Sequence, residues 1–95
     1  MSIDDILHER AQTHGDFADV ARIAQEIKAV YRETRGWPPL DDLQRESIDM
    51  IAVKLARILA GNPNFPDHFS DICGYARLVE LALHHADPSE VPDDL

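Results

Sequence analysis

Three observations predict an all-α fold, a compact bundle of three to four helices. Apolar residues recur at steps of three and four along four segments, and capping and helix-breaking residues bound each segment. No run alternates polar and apolar residues between turn signals, so no strand is predicted. The 95 residues, 44% hydrophobic and 28% charged, suit one globular domain with a lean core. Residues 1–86 read as a single helical domain. Residues 87–95 carry two prolines and four acids with no base, and read as an acidic, flexible tail.

The first helix is short. Ser2 and Asp5 form a capping-box-like pair, and Ile3, Ile6, Leu7 and Ala11 share a stripe. Thr13-His14-Gly15-Asp16 breaks it, glycine supplying the turn and Asp16 capping the next helix. This second helix is predicted from about Phe17 to about Thr34, with Phe17, Val20, Ala21, Ala24, Ile27, Val30 and Tyr31 on one buried face. Arg35-Gly36-Trp37-Pro38-Pro39 cannot continue it, because proline removes donors and fixes φ. Trp37 is expected to pack over the bundle end.

A third helix, Asp42 to Ala60, is capped by Asp41 or Asp42 and stopped by Gly61 and Pro63. Its apolar residues fill more than one stripe, which makes it the central helix. Leu43, Ile51, Leu55 and Ile58, with Ile72 and Val79 of a fourth helix, are expected in the core or a subunit interface. That fourth helix comes after the Asn62–Pro66 loop, with Asp67 as N-cap, and runs to His85. Gly74 within it points to a close approach by another helix or a ligand. Long amphipathic helices in so short a chain leave apolar surface uncovered, which favours a homodimer or a higher homo-oligomer.

Composition excludes several function classes. Eighteen acids against nine bases give a net charge of −9, opposite to the basic footprint of a protein that grips nucleic acid directly. No apolar run reaches the roughly 18 residues of a membrane span, and Met1-Ser2-Ile3-Asp4-Asp5 lacks the features of a signal peptide. A cytoplasmic location without membrane partners is the expectation. Cys73, the single cysteine, excludes an internal disulfide and reads as a small core residue. His84 and His85 point apart, and no histidine pair has zinc-ligand spacing.

Charged residues on the third and fourth helices carry the candidate chemistry. Glu46 and Asp49 lie three apart on one side of a helix, and Arg57 falls near the same azimuth, with Lys54 further round. Such carboxylates can hold Mg²⁺ or Mn²⁺ while the cations meet phosphate. The same spacing suits solvated surface charges. Asp67 and Asp71, four apart, favour the positive end of a helix dipole and are equally available as ligands. His14-Gly15-Asp16-Phe17 is either a plain helix stop or the edge of a site.

With those residues in view, the chain resembles small phage and prophage proteins. The likeness runs through Glu9-Arg10…Thr13-His14-Gly15-Asp16-Phe17 and the segment Gln44 to Ile58. It then continues through Gly61-Asn62-Pro63 to Asp67-His68-Phe69-Ser70-Asp71-Ile72-Cys73-Gly74-Tyr75-Ala76. More distantly, Lys54-x-x-Arg57 and a later helix that opens on Asp resemble the MazG-like all-α nucleotide pyrophosphohydrolases. The phage dATP/dGTP diphosphohydrolases belong to that group. This resemblance implies an oligomeric helical bundle in which Mg or Mn on Glu46, Asp49, Asp67 and Asp71 positions a (deoxy)nucleoside triphosphate. Water attack would release pyrophosphate, with Lys54 and Arg57 stabilising the phosphate charge. The family pattern has a second Glu where Arg45 stands and a three-residue step where Asp67 and Asp71 are four apart, so a degenerate relative is equally implied. A non-enzymatic acidic protein that blocks a host protein or sequesters a nucleotide is the alternative; the charge is −3 over residues 1–60 and −6 over 61–95.

Overall fold

The structure, a computed structural model, describes residues 2–86, so the acidic tail lies outside the described residues. They form the predicted all-α bundle: α1 (Ile3–His14), α2 (Phe17–Arg32), α3 (Asp42–Ala60) and α4 (Pro66–Ala86). No helix among them is long and apolar enough to cross a membrane.

Local chemistry sets the boundaries. The Asp5 amide donates to Ser2 Oγ at 3.1 Å and the Ser2 amide to Asp5 Oδ2 at 3.3 Å, a complete capping box. Asp41 and Gln44 repeat the device at α3, with bonds of 2.8 and 2.9 Å. Asp16 precedes α2, but its side chain makes no capping bond. α2 ends at Arg32 rather than the predicted Thr34, because a turn claims the Tyr31 carbonyl. Both the Thr34 amide (3.2 Å) and its hydroxyl (2.7 Å) donate to Tyr31 O. Asp67 is not the N-cap of α4. Pro66 already occupies the first helical position, where its missing N–H costs nothing, and this puts Asp67 in the first turn.

α3 is central, as expected. α2 packs along one side of it and α4 along the other, and those two flanking helices never touch. α1 crosses the layer lightly, against α2 and α3. The buried apolar residues are accordingly few and small: Val20 and Ala24 from α2, Ala52 and Ala56 from α3. Alanines let the helix axes approach closely, with Ile23 and Ala60 at the margin. The expected core needs correcting, and so does the expected buried face of α2 at Phe17 and Val30, which are 81% and 73% exposed. Leu43 and Leu55 are 46% and 38% exposed, while Ile51, Ile58, Ile72 and Val79 are half-buried. With α2 and α4 apart, no helix lies over the α3 stripe between them. Cys73 is exposed rather than in the core, and Gly74 has nothing within 4 Å of where a Cβ would stand. Trp37 packs at the bundle end, its ring 5.0 Å from Tyr31 and 5.7 Å from the Arg45 guanidinium.

The ends of α1 and α3 meet backbone to backbone. A Cβ on Gly15 would stand 2.6 Å from the Ala60 carbonyl carbon, and one on Gly61 would stand 2.5 Å from Gly15 N and Thr13 O. Gly15 also holds φ 86° and ψ 169°, a region only glycine occupies at low cost. The Asn62 amide donates to Thr13 O at 3.0 Å across the junction. Gly15→Ala should therefore destabilise by about 3 kcal/mol, from strain plus overpacking, lowering Tm by more than about 10 °C. Gly36→Ala, with open space around it, should stay within about 0.5 kcal/mol. Thermal melts of both variants read the contrast, and equal effects would contradict the clamp.

Candidate functional site

The sequence-predicted acids each stand in a different setting. Asp49 is half-buried between helices: Tyr31 donates its hydroxyl to Oδ1 at 2.5 Å, and Arg32 meets Oδ2 at 3.1 Å. Burial pushes the Asp49 carboxyl up, but these hydrogen bonds and the charges of Arg32 and Lys28 outweigh it and hold it below the usual range. Tyr31 is raised in turn, by burial and by the carboxylate it donates to. Asp71 Oδ2 lies 3.0 Å from Lys54 Nζ, and the pair ties α3 to α4. Lys54 is buried while Asp71 is exposed. Glu46 and Asp67 are also exposed.

No three His, Cys, Asp or Glu side chains among the described residues gather closely enough to hold a metal ion. The physical reason is visible at each acid. Both oxygens of Asp49 serve an interhelical bridge, and Asp71 neutralises an ammonium that would otherwise be buried alone. Among the described residues, then, Glu46, Asp49, Asp67 and Asp71 do not come together as a ligand set for Mg or Mn.

The cations behave differently. A partly enclosed cavity of about 460 Å³ opens between α1, α2 and α3, a size usual for small-molecule sites. Leu7, Val20 and Val53 supply apolar wall, and Arg10, His14 and Arg57 supply positive charge or donors. The turn Gly15-Asp16-Phe17 forms the rim, and Asp16 is the one acid lining the cavity. Elsewhere Arg22 is engaged with Glu26, Arg32 with Asp49, Arg77 with Glu80, and Arg45 with the Pro38 carbonyl, while Arg35 stands exposed in the α2–α3 loop, away from the cavity. Arg10 and Arg57 have no side-chain hydrogen bond or salt bridge among the described residues.

Behind this wall His14 stacks edge-on against His68, with centroids 4.9 Å apart, and Phe65 closes on both rings. His68 is 1% exposed. Its Nε2 lies 3.4 Å from the Thr13 carbonyl, which calls for the proton there and leaves the buried Nδ1 an acceptor without a donor. His14 Nδ1 is buried and unpartnered as well. Burial lowers the His14 pKa first; Arg10, Arg57, His68 and Lys54 lower it further. His14 is thus held as a neutral ring beside two guanidinium groups.

Of the predicted residues, the structure brings Arg57 and the His14–Phe17 turn to one cavity and pairs Lys54 with Asp71. It gathers no cluster of acids. Arg10 has no spacing signal for chemistry in the sequence, yet it stands one helical turn before His14 on the same face. His68 carries no usable spacing signal either, because its partners lie in α1 and the loop before α4.

Comparison with known proteins adds one match. The profile of a family described as a domain of unknown function (DUF6378) covers residues 3–82, most of the chain and every residue of this cavity. No curated protein and no solved structure matches the chain.

The lowered His14 pKa fixes a pH dependence. As pH falls, the unfolded chain takes up the imidazole proton before the folded one does. Stability contributed by neutral His14 is therefore full above pH 6.5, the ordinary value, and is lost as pH drops toward the folded pKa. Denaturant unfolding from about pH 7.5 to about pH 5 should show a stability slope that His14→Gln flattens. An unchanged slope in that variant would contradict the burial assigned to this ring.

Proposed function

The chain belongs to the DUF6378 family, and for this member we propose binding of a phosphate-bearing small molecule in the α1–α2–α3 cavity. A nucleotide is the ligand class that the MazG-like resemblance implies. One observation carries the reading: in a chain of net charge −9, the two guanidinium groups of Arg10 and Arg57 stand without acid partners beside one cavity. Burying an anion between them supplies the counter-charge the fold leaves out, and charge-assisted bonds to a planar fork suit phosphate oxygens. Leu7, Val20 and Val53 offer the apolar part of such a ligand a surface. The open N-terminus of α2, which Asp16 does not cap through its side chain, adds amide donors near the rim.

In this reading the domain is a relative of the pyrophosphohydrolases that binds without cleaving. Asp49 and Asp71 serve α2–α3 and α3–α4 bridges, and no ligand set for metal-dependent hydrolysis gathers among the described residues. Asp71→Asn should cost stability, through the buried Lys54 ammonium, and leave ligand affinity unchanged.

Calorimetric titration with nucleoside mono-, di- and triphosphates and with pyrophosphate tests the proposal, in the absence of metal. Arg10→Ala and Arg57→Ala should each weaken binding about 10- to 100-fold, the loss of a charge-assisted bond worth about 1.5–3 kcal/mol. Failure of every ligand to bind at millimolar concentration would overturn it. Pyrophosphate release with Mn²⁺ that disappears in Asp71→Asn would instead restore the hydrolase.

A further inference from the structure

We infer that α2 carries a base-binding wall in this cavity: Phe17 stacks on the heteroaromatic ring of a nucleotide, and Gln25 hydrogen-bonds to that ring's edge. The inference rests on the anion reading of the same cavity. It assigns the residues that tell a nucleotide from a phosphate without a base.

The cavity is chemically two-sided. α1 and α3 bring the cationic and imidazole groups, Arg10, His14 and Arg57. The wall from α2 has no ionisable side chain and consists of Phe17, Val20, Ala21 and Gln25. Asp16, just before the helix, is the one acid. A ligand made only of phosphate would use the first side and leave the second idle. With about 460 Å³ to fill, a ligand with an anionic end and an uncharged, planar end matches both.

On α2 the residues Phe17, Ala21 and Gln25 follow at steps of four, one stripe of the helix. Each step rises about 6 Å, so the aromatic ring and the amide stand about 12 Å apart along the axis. Only the methyl group of Ala21 lies between them on that stripe, which leaves the floor open to a flat ring.

Phe17 is apolar yet 81% exposed, and helix formation does not account for it. A hydrophobic staple would join the residues before the cap and at the fourth helical position, here Gly15 and Val20, and Phe17 is neither. Its ring meets no other aromatic ring and no guanidinium among the described residues. What it does is line the mouth of the cavity with a free π-face. Gln25 is exposed as well, and its carboxamide makes no hydrogen bond among the described residues. That group presents a donor and an acceptor side by side, the pattern that complements the edge of a nucleobase. An aliphatic tail would use Phe17 but give Gln25 nothing to bind. Neither side chain competes with the arginines for phosphate, so the ligand has one favoured direction, phosphate toward α1 and α3 and ring toward α2.

Calorimetric titration of the full chain with adenosine monophosphate and with ribose 5-phosphate isolates the base, because the two share sugar and phosphate. Adenosine monophosphate should bind about 10-fold tighter or more, the usual worth of stacking a base on an aromatic side chain. Phe17→Leu keeps an apolar side chain without the π-face, and Gln25→Ala removes the amide. Each should narrow the ratio of the two affinities, and a general change in affinity cancels from that ratio. Both residues are exposed, so melts by circular dichroism should match the wild type. Equal affinity of the wild type for the two ligands overturns the base-binding wall and leaves the anion site standing. A ratio that persists undiminished in either variant overturns it too. If neither of them nor pyrophosphate binds at millimolar concentration, the anion site falls and this wall falls with it.

Discussion

α2 and α4 each lean on α3 and never on each other, and both unusual features of the molecule stem from that arrangement. A row of three helices has two faces. The Gly15–Gly61 contact draws the end of α1 onto one of them, and because α1 crosses rather than fills that face, a cavity remains beside Val20 and Val53. The other face has no fourth helix, and its leucines stand in solvent. The same row explains the small core, since alanine at the contact lets the axes close up while leaving little apolar volume to bury.

Electrostatics track the packing. Where two helices meet, an acid and a base meet with them: Arg32 with Asp49 between α2 and α3, and Lys54 with Asp71 between α3 and α4. Such pairs do little for net stability but fix register, since a mismatched helix would leave one charge alone. Tyr31 and Trp37 extend the first pair into a cluster that anchors the α2–α3 loop. α1 makes no ion pair with α2 or α3 among the described residues. Arg10 and Arg57 consequently reach the α1 cavity unneutralised, and His14 responds to its own burial and to their field by staying neutral.

Much of this was legible in the sequence because it is local. Ser2 with Asp5, Asp41 before α3, the Arg35–Pro39 break and the Gly61 stop depend on neighbours within four residues, and the structure keeps them. Thr34 failed because a side-chain hydroxyl competed for a carbonyl, and Asp67 because proline can itself open a helix. The exposure of Leu43 and Leu55 was illegible for a different reason. Periodicity shows that a helix has an apolar stripe but not whether another helix covers it. The acids were misleading in the same way: spacing put Glu46 and Asp49 on one side of α3, whereas Tyr31 and Arg32, reached only through tertiary contact, decide what Asp49 does. The cavity was half visible, in the turn from His14 to Phe17 and in Arg57. Arg10 and the buried His68 needed three helices to be placed before they meant anything.

The central claim is that Arg10, His14 and Arg57 form one anion site. The most direct measurement tracks the arginine Nε–H and histidine ring resonances of the intact chain by NMR during titration with a nucleotide. Arg10, Arg57 and His14 should shift together along a single binding curve, while Arg22 and Arg77, already paired with Glu26 and Glu80, stay in place. Uniform small shifts of every arginine, or shifts confined to residues away from the cavity, would contradict the account.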